Sequence, residues 1–486
     1  MSDAIFKSKY TPTKTQLDHL QGMAGPNEDV TKSFETGTEI NPANMTQAAA
    51  LRTEFLAPRL SQLSFGSEQM VFFNMIPKMP ASSTVAQYIT FDQHGETGHT
   101  AWDTEAGISD VKDPDISRKS VVMKFASHTR QVSLVAEEVN NVESPIDVLT
   151  DDAIVSMART IEQGSLYGDS SLSAVGEKDG LEPDGLVKWI PDENVIDLHG
   201  ATIDIDSFND AAIRILKSYG NPTAAFMPNG VLAYFNNNNK NIQRQFVNTV
   251  TGENQISLGV NIKSVTTVGG DIRLVGSNVM ENDNFLNTRN LGKGGAPMAP
   301  TVTAEKVAGD AKVFGQFTDG DVATGATYKV VTYADKSGSR PSAPAVVPLT
   351  DKTDTVKLTI NVPDTYNDKP QYVAIYRTDA KTGQDYLIKK IGLYQAVEAD
   401  DGQSQVITFT DTNAVMPGTT DVFVGDMSPQ VIRLYEFLPM FRLPLPSMNK
   451  LIQWSVVWSG GLAVLAPNRW VRITNVGYNA VTPVHM

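Results

Sequence analysis

Ser144-Pro145-Ile146-Asp147 opens a long stretch of helical spacing, and this stretch limits what the chain can fold into more than any other feature. Serine suits an N-cap, proline suits the first helical position, and acids at 147, 151 and 152 favour the positive end of the helix dipole. Ile154, Met157, Ala158, Ile161 and Ser165 then keep one face as far as Gly168, a rod of about 35 Å at 1.5 Å per residue. Periodicity alone fits an amphipathic helix of any large α/β protein. The sequence behind it is more specific: GSLYGDSSLSAVGEKDGLEPDGL, from Gly164 to Leu186, is a glycine-punctuated loop closing on a Pro183-Asp184-Gly185-Leu186 turn. Gly168 is expected to end the helix in a left-handed cap, which glycine adopts without strain.

The first sixty residues carry Pro12, Gly22, Gly25, Pro26, Gly37 and Pro42 with few apolar anchors and read as an extended arm. From Val85 the pattern alternates, with Val85, Gln87, Ile89 and Phe91 on one face and Ala86, Tyr88 and Thr90 on the other. After the polar stretch DQHGETGHTAWDTEAGISDVKDPD the chain returns as a second strand through Val121, Met123 and Phe125. Two strands alone are barely stable in water, so such a protruding hairpin needs a neighbour to lie on. Its tip residues His94, Glu96, His99 and Trp102 are candidates for that contact. Further on, Asp206-Ser207 caps a shorter helix striped with Phe208, Ala212, Ile215, Leu216 and Tyr219, ahead of Gly220 and Pro222.

Between about 296 and 422 the pattern becomes short alternating strands: Tyr328-Val330-Thr332, Val356-Leu358-Ile360, Val373-Ile375 and Ile407-Phe409, with a hairpin turn at Thr382-Gly383. This spacing is that of an all-β sandwich, expected to fold by itself and to tolerate replacement by a short linker. Beyond it, Ser455-Val456-Val457 and Leu462 to Leu465 read as two buried strands around Gly460-Gly461. Pro467 turns the chain, and Val471, Ile473 and Val476 form a third strand in which Trp470, like Trp454 and Trp458, supplies bulk.

Composition narrows the function. The chain has 486 residues, 41% hydrophobic and 20% charged, the balance of a globular protein of two or three domains. No run reaches the ~18 apolar residues of a membrane helix, and the start MSDAIFKSKY lacks a signal peptide's apolar stretch. There is no cysteine, which excludes disulfides and thiolate chemistry. A net charge of −15 speaks against non-specific nucleic-acid binding, which gains affinity by neutralising phosphates. Asp92, His94, Glu96, His99 and Asp103 include metal-ligand types, but the spacing is wrong for HExxH and a solvated tip holds no rigid site. Lys293 in LGKGGAP misses the phosphate-loop spacing, Asp204, Asp206 and Asp210 sit at a helix start, and no nucleophile elbow occurs. The expectation is no enzyme, no cofactor and no metal.

The Gly164–Leu186 segment, the run GLAVLAPNRWVRITNV (Gly461 to Val476) and the run TDVFVGDMSPQVIRLYEFLPMFRLPL (Thr420 to Leu445) resemble the Hong Kong 97-type (HK97-like) major capsid proteins of tailed bacteriophages. The chain is most similar to those of large contractile-tailed, Twort-like phages of Gram-positive bacteria. The resemblance implies an α+β, HK97-like capsid fold in six parts. These are an N-terminal arm (1–60), an E-loop hairpin and the start of a peripheral domain (61–135), and the peripheral domain with its spine helix at 144–168 (136–204). An axial domain (205–295), an inserted immunoglobulin or fibronectin III-like sandwich (296–422) and a return to the shell fold (423–486) complete it. Ser144, Gly168, Pro183, Gly185, Pro467 and Trp470 are then fold positions, and the hairpin tip an assembly contact. The chain would assemble with itself into hexamers and pentamers of an icosahedral head around double-stranded DNA, made in the host cytoplasm and kept in the virion, without a membrane. Portal, scaffold and prohead protease are implied partners, with trimming near Gly22 to Glu28. Some such shells cross-link a hairpin lysine, yet residues 92–105 contain none, which leaves non-covalent stabilisation. The alternative is a surface adhesive protein that uses the sandwich for binding.

Overall fold

The computed structural model describes residues 70–93, 105, 113–138, 144–173, 180–239, 262–282, 285–289, 291–293, 296–309, 316–334, 337–363, 370–398, 404–448 and 450–477. The arm, its cleavage segment and the hairpin tip with His94, Glu96, His99 and Trp102 lie outside the described residues.

The long helix runs Pro145–Tyr167 with proline in its first turn. Ser144 is its N-cap in backbone position only: no side-chain cap bond forms, because the Ser144 hydroxyl donates instead to Glu137 Oε1 at 3.3 Å. The buried face consists of Ala153, Met157, Ala158, Ile161, Glu162, Ser165 and Leu166. Ile154, expected on that face, is 38% exposed, since it precedes Met157 by three residues on the edge of the stripe while Ala153, four before it, sits at the centre.

Two β-layers share one core around this helix. A four-stranded sheet has the order Lys78–Pro80, Ile432–Met448, Leu451–Val464, Lys124–Ser133. Its last strand lies along the helix, where Arg130 Nη2 donates to Asp152 Oδ2 at 2.7 Å. The two short strands expected around Gly460-Gly461 are one continuous strand, Leu451–Val464. The glycines do not interrupt it; they make room, since a Cβ on Gly460 would meet the Trp458 ring at 2.4 Å. A six-stranded mixed sheet follows the order Val195–Asp197, Trp470–Gly477, Thr419–Gly425, Ala224–Pro228, Gly270–Ser277, Ser264–Thr267. Phe72, Ile161, Leu166, Phe226, Leu434 and Trp470 join helix and sheets in one apolar cluster. The other face of the six-stranded sheet carries the helix Ile205–Lys217, through Phe208, Ala212 and Ile215. That helix starts at N-cap Asp204, two residues before the expected cap. Tyr219 falls off its stripe and is 91% exposed, because the backbone has already turned to φ +57° there.

Two further four-stranded sheets face each other across a separate core. One has the order Ala345–Val347, Ala326–Ala334, Pro370–Thr378, Asp385–Gly392, the other Val397–Glu398, Ser404–Asp411, Thr355–Pro363, Thr301–Val307. Tyr328, Val330, Val373 and Ile375 from the first pack against Val356, Leu358, Ile360 and Ile407 from the second, the alternation expected of a sandwich. The boundary expected at 422 is too late: the last sandwich strand ends at Asp411, and Thr419–Gly425 pairs with Trp470–Gly477 and Ala224–Pro228 in the six-stranded sheet. That strand is buried on both faces, Val422 and Val424 in the core beneath the helix Ile205–Lys217 and Phe423 in the core around the long helix.

Candidate assembly surfaces

The hairpin pairs Val85–Gln93 with Asp115–Val122 and, among the described residues, with no other strand. Its register sets Val85 opposite Val122, Ile89 opposite Arg118 and Phe91 opposite Ile116. Directly opposed residues share a face, so these apolar side chains form one surface, and it is open: Ile89 is 68%, Phe91 54% and Ile116 54% exposed. The reverse face is anchored at its base, where Tyr88, Val121 and Met123 pack with Tyr435 and Ala463, and Thr90 and Ser117 share a hydroxyl bond of 2.8 Å. Alternation in the sequence identified the two faces; which of them would be covered by the subunit itself depended on Tyr435 and Ala463, more than 300 residues away.

The loop behind the long helix is held by close backbone approach. Gly168 N–H donates to Gly164 O at 3.0 Å and Gly185 N–H to Gly168 O at 2.8 Å. Gly168 is not a left-handed cap: its φ is −60° and ψ 143°. Glycine is required there for space, because a Cβ would lie 2.3 Å from Pro183 O and 2.4 Å from Gly164 O. Gly185 faces the same constraint from the other side, with Gly168 N 2.6 Å from its virtual Cβ, and Pro183 covers Gly164 at 3.1 Å. Lys188 ties the turn together through Asp184 Oδ1 at 2.9 Å, Asp169 Oδ1 at 3.1 Å and Ser170 Oγ at 2.9 Å. Against the pull of burial, those two carboxylates hold the ammonium above its ordinary pKa.

Pro467 begins a one-turn 3-10 helix, Pro467–Arg469, and delivers Trp470 into the core. Trp470 is fully buried, stacks on Phe226 at 6.5 Å and covers Gly425, where a Cβ would sit 2.2 Å from the indole. These are packing positions.

Sequence reasoning missed Glu162. It is fully buried on the long helix, accepts from Ser277 Oγ at 3.3 Å, and its Oε2 has no close partner. Burial pushes its pKa up to about 7, against the opposing influence of the amides of Phe73, Phe72 and Val71 in the short helix Val71–Met75 and of the Ser277 hydroxyl. A charged residue at a core-facing helical position was the available signal.

Among the described residues no three His, Asp or Glu side chains could hold a metal ion, and no helix is long and apolar enough to cross a membrane. An open apolar face on a well-cored subunit marks a surface made for contact with another protein. The chain matches the SU10 major capsid protein family over residues 35–289, and the major capsid protein of Staphylococcus phage K is 41% identical to it over 454 residues, 93% of this chain and 96% of the relative. The chain thus belongs to the phage major capsid proteins: it is a structural component of the tailed-phage head, located in the virion capsid, and not an enzyme. A relative in Enterococcus phage phiEF24C is 42% identical over 469 residues, 96% of this chain and 97% of its own length. Among solved structures, similarity extends to the capsid of a native GTA particle (TM-score 0.45, 9% identity, 90% of this chain and 100% of that one). A Gordonia phage Cozz chain gives TM-score 0.43 and 10% identity over 91% of this chain and 98% of that one.

Proposed function

We propose that the chain is an HK97-like shell subunit that closes into hexamers and pentamers of an icosahedral head around double-stranded DNA. In this reading Pro145–Tyr167 is the spine helix of a peripheral domain, the six-stranded sheet is the axial domain, and the hairpin is an E-loop laid across an adjacent subunit. The observation that carries it is the apolar hairpin face of Ile89, Phe91 and Ile116, open on one side while Tyr88 anchors the other. Covering each such side chain is worth ~1.5–3 kcal/mol of hydrophobic transfer, and repetition around a closed lattice multiplies weak contacts into a stable shell. The tip residues His94, Glu96, His99 and Trp102 extend that contact. With no lysine between 92 and 105, the lattice is held without a hairpin lysine cross-link. The net charge of −15 suits a wall that confines DNA without gripping it. The sandwich is an immunoglobulin or fibronectin III-like insertion displayed on the outer surface, and portal, scaffold and prohead protease are the assembly partners. Size-exclusion chromatography with negative-stain microscopy of the purified chain tests the proposal: rings or shells are expected, and a protein that stays monomeric at every concentration and ionic strength refutes it.

A further inference from the structure

A strand in a two-sheet sandwich should be buried on its inner face and wet on its outer one. The two central strands of one sheet break this rule. On Ala326–Ala334 and Pro370–Thr378, the inward residues Val330, Val373 and Ile375 are fully buried, and so are the outward-facing cross-strand pair Val331 and Ala374. Around that pair, Tyr333 stacks on Tyr372 at 5.1 Å and Tyr333 and Tyr376 share a hydroxyl contact of 3.2 Å.

Two segments of the shell body supply the cover. The chain leading into the sandwich lays Leu286 and Leu291 on this face, and Leu286 N–H donates to Asp385 O at 2.9 Å. The turn Ser170–Ser173, directly behind the long helix, lies against Pro370–Thr378 and Asp385–Gly392. On the returning limb of the same loop, Glu182 lies within electrostatic reach of the sandwich: the Lys390 charge opposes the upward push of burial on its carboxyl, and its own charge adds to the upward push of burial on the Tyr372 phenol. At the other end, Asn475 of the six-stranded sheet clasps the chain as it leaves the sandwich. Its Nδ2 donates to Ala414 O at 2.9 Å and to Asp197 Oδ1 at 2.8 Å, while Met416 N–H donates to its Oδ1 at 2.9 Å.

We infer that the outward face of this sheet is a seat for the loop that follows the long helix, so that the sandwich is a brace holding that loop and not a detachable ornament. The linker-replacement tolerance expected from strand spacing is reversed. The described ends of this loop, residues 168–173 and 180–185, are fixed on one side by the glycine contacts and on the other by the sandwich, which couples the insertion to the end of the long helix. The consequence for closed shells rests on the shell-subunit reading; the local consequence does not.

Hydrogen exchange by mass spectrometry on the full chain separates the two. The variant Tyr333→Ser with Tyr372→Ser should speed exchange in peptides from 164–173 and 180–190 at least ~tenfold, with Thr355–Pro363 on the far sheet still protected. Lys390→Glu, at an exposed position where folding is not at stake, should speed loop exchange ~2- to 5-fold by setting like charge beside Glu182, and adding Glu182→Lys should restore it. Loop protection unchanged in both variants overturns the brace, even if shells fail to form. Loop exchange that rises while shells still close normally keeps the brace and removes its role in assembly.

Discussion

Replacing Glu162 with Gln should produce a stability difference that changes with pH. The carboxyl is fully buried and its pKa stands at about 7, raised from 4.5 chiefly by desolvation. A group whose folded pKa lies above its unfolded one favours folding below the unfolded value and loses that contribution as pH rises through the folded value. The window here is therefore pH 4.5 to about 7. At about 1.4 kcal/mol per pKa unit, ionisation of Glu162 opposes folding by about 3 kcal/mol above that window. Protonated Glu and Gln are nearly isosteric, so the variant should match the parent at pH 4, below the window, and exceed it at pH 8.5. With an unfolding entropy of roughly 2 cal/mol/K per residue, the gain for a chain of this size is about 3 °C in Tm. Differential scanning calorimetry of the unassembled subunit at the two pH values measures it. A parent-to-variant difference that is the same at both would refute the buried, neutral carboxyl.

Gly168→Ala should destabilise the subunit by about 1–3 kcal/mol through overpacking and Gly168→Val should give insoluble protein; a calorimetric Tm within 1 °C of the parent for the alanine variant would disprove the close approach to Pro183 and Gly164. Ile89→Asp combined with Phe91→Ser should leave the subunit's Tm unchanged, since both side chains are exposed, while abolishing shells in negative stain. Arg377, fully buried, donates to Asp411 Oδ2 at 2.6 Å, and Asp411 also accepts from Tyr328 Oη at 2.8 Å. Arg377→Met should cost about 3–5 kcal/mol by stranding that carboxylate, read as earlier loss of strand circular dichroism in urea; an unshifted midpoint would show that the pair is dispensable.

Local chemistry made the long helix legible, because Ser144-Pro145 and the 3.6-residue stripe are signals carried within one segment. The sandwich strands were legible for the same reason, with Gly383 at φ +70° in the expected hairpin turn. What failed depended on distant chain. Gly168 looked like a left-handed cap because glycine usually serves that purpose at helix ends, whereas here Pro183 and Gly185 crowd it in space. The covered outer face of the sandwich was hidden because runs such as Tyr372-Val373-Ala374-Ile375-Tyr376 look the same whether the second face meets another sheet or a loop. Of the candidate contact residues, the hairpin faces could be read from alternation, but the choice of open face required knowing that Tyr435 and Ala463 meet Tyr88.

The central claim, that this subunit builds a shell by laying its hairpin on a neighbour, is tested most directly by electron cryomicroscopy of particles assembled from the purified chain. Ile89, Phe91 and Ile116 should be buried against an adjacent subunit in every capsomer. A closed shell in which those three side chains remain open to solvent would contradict it.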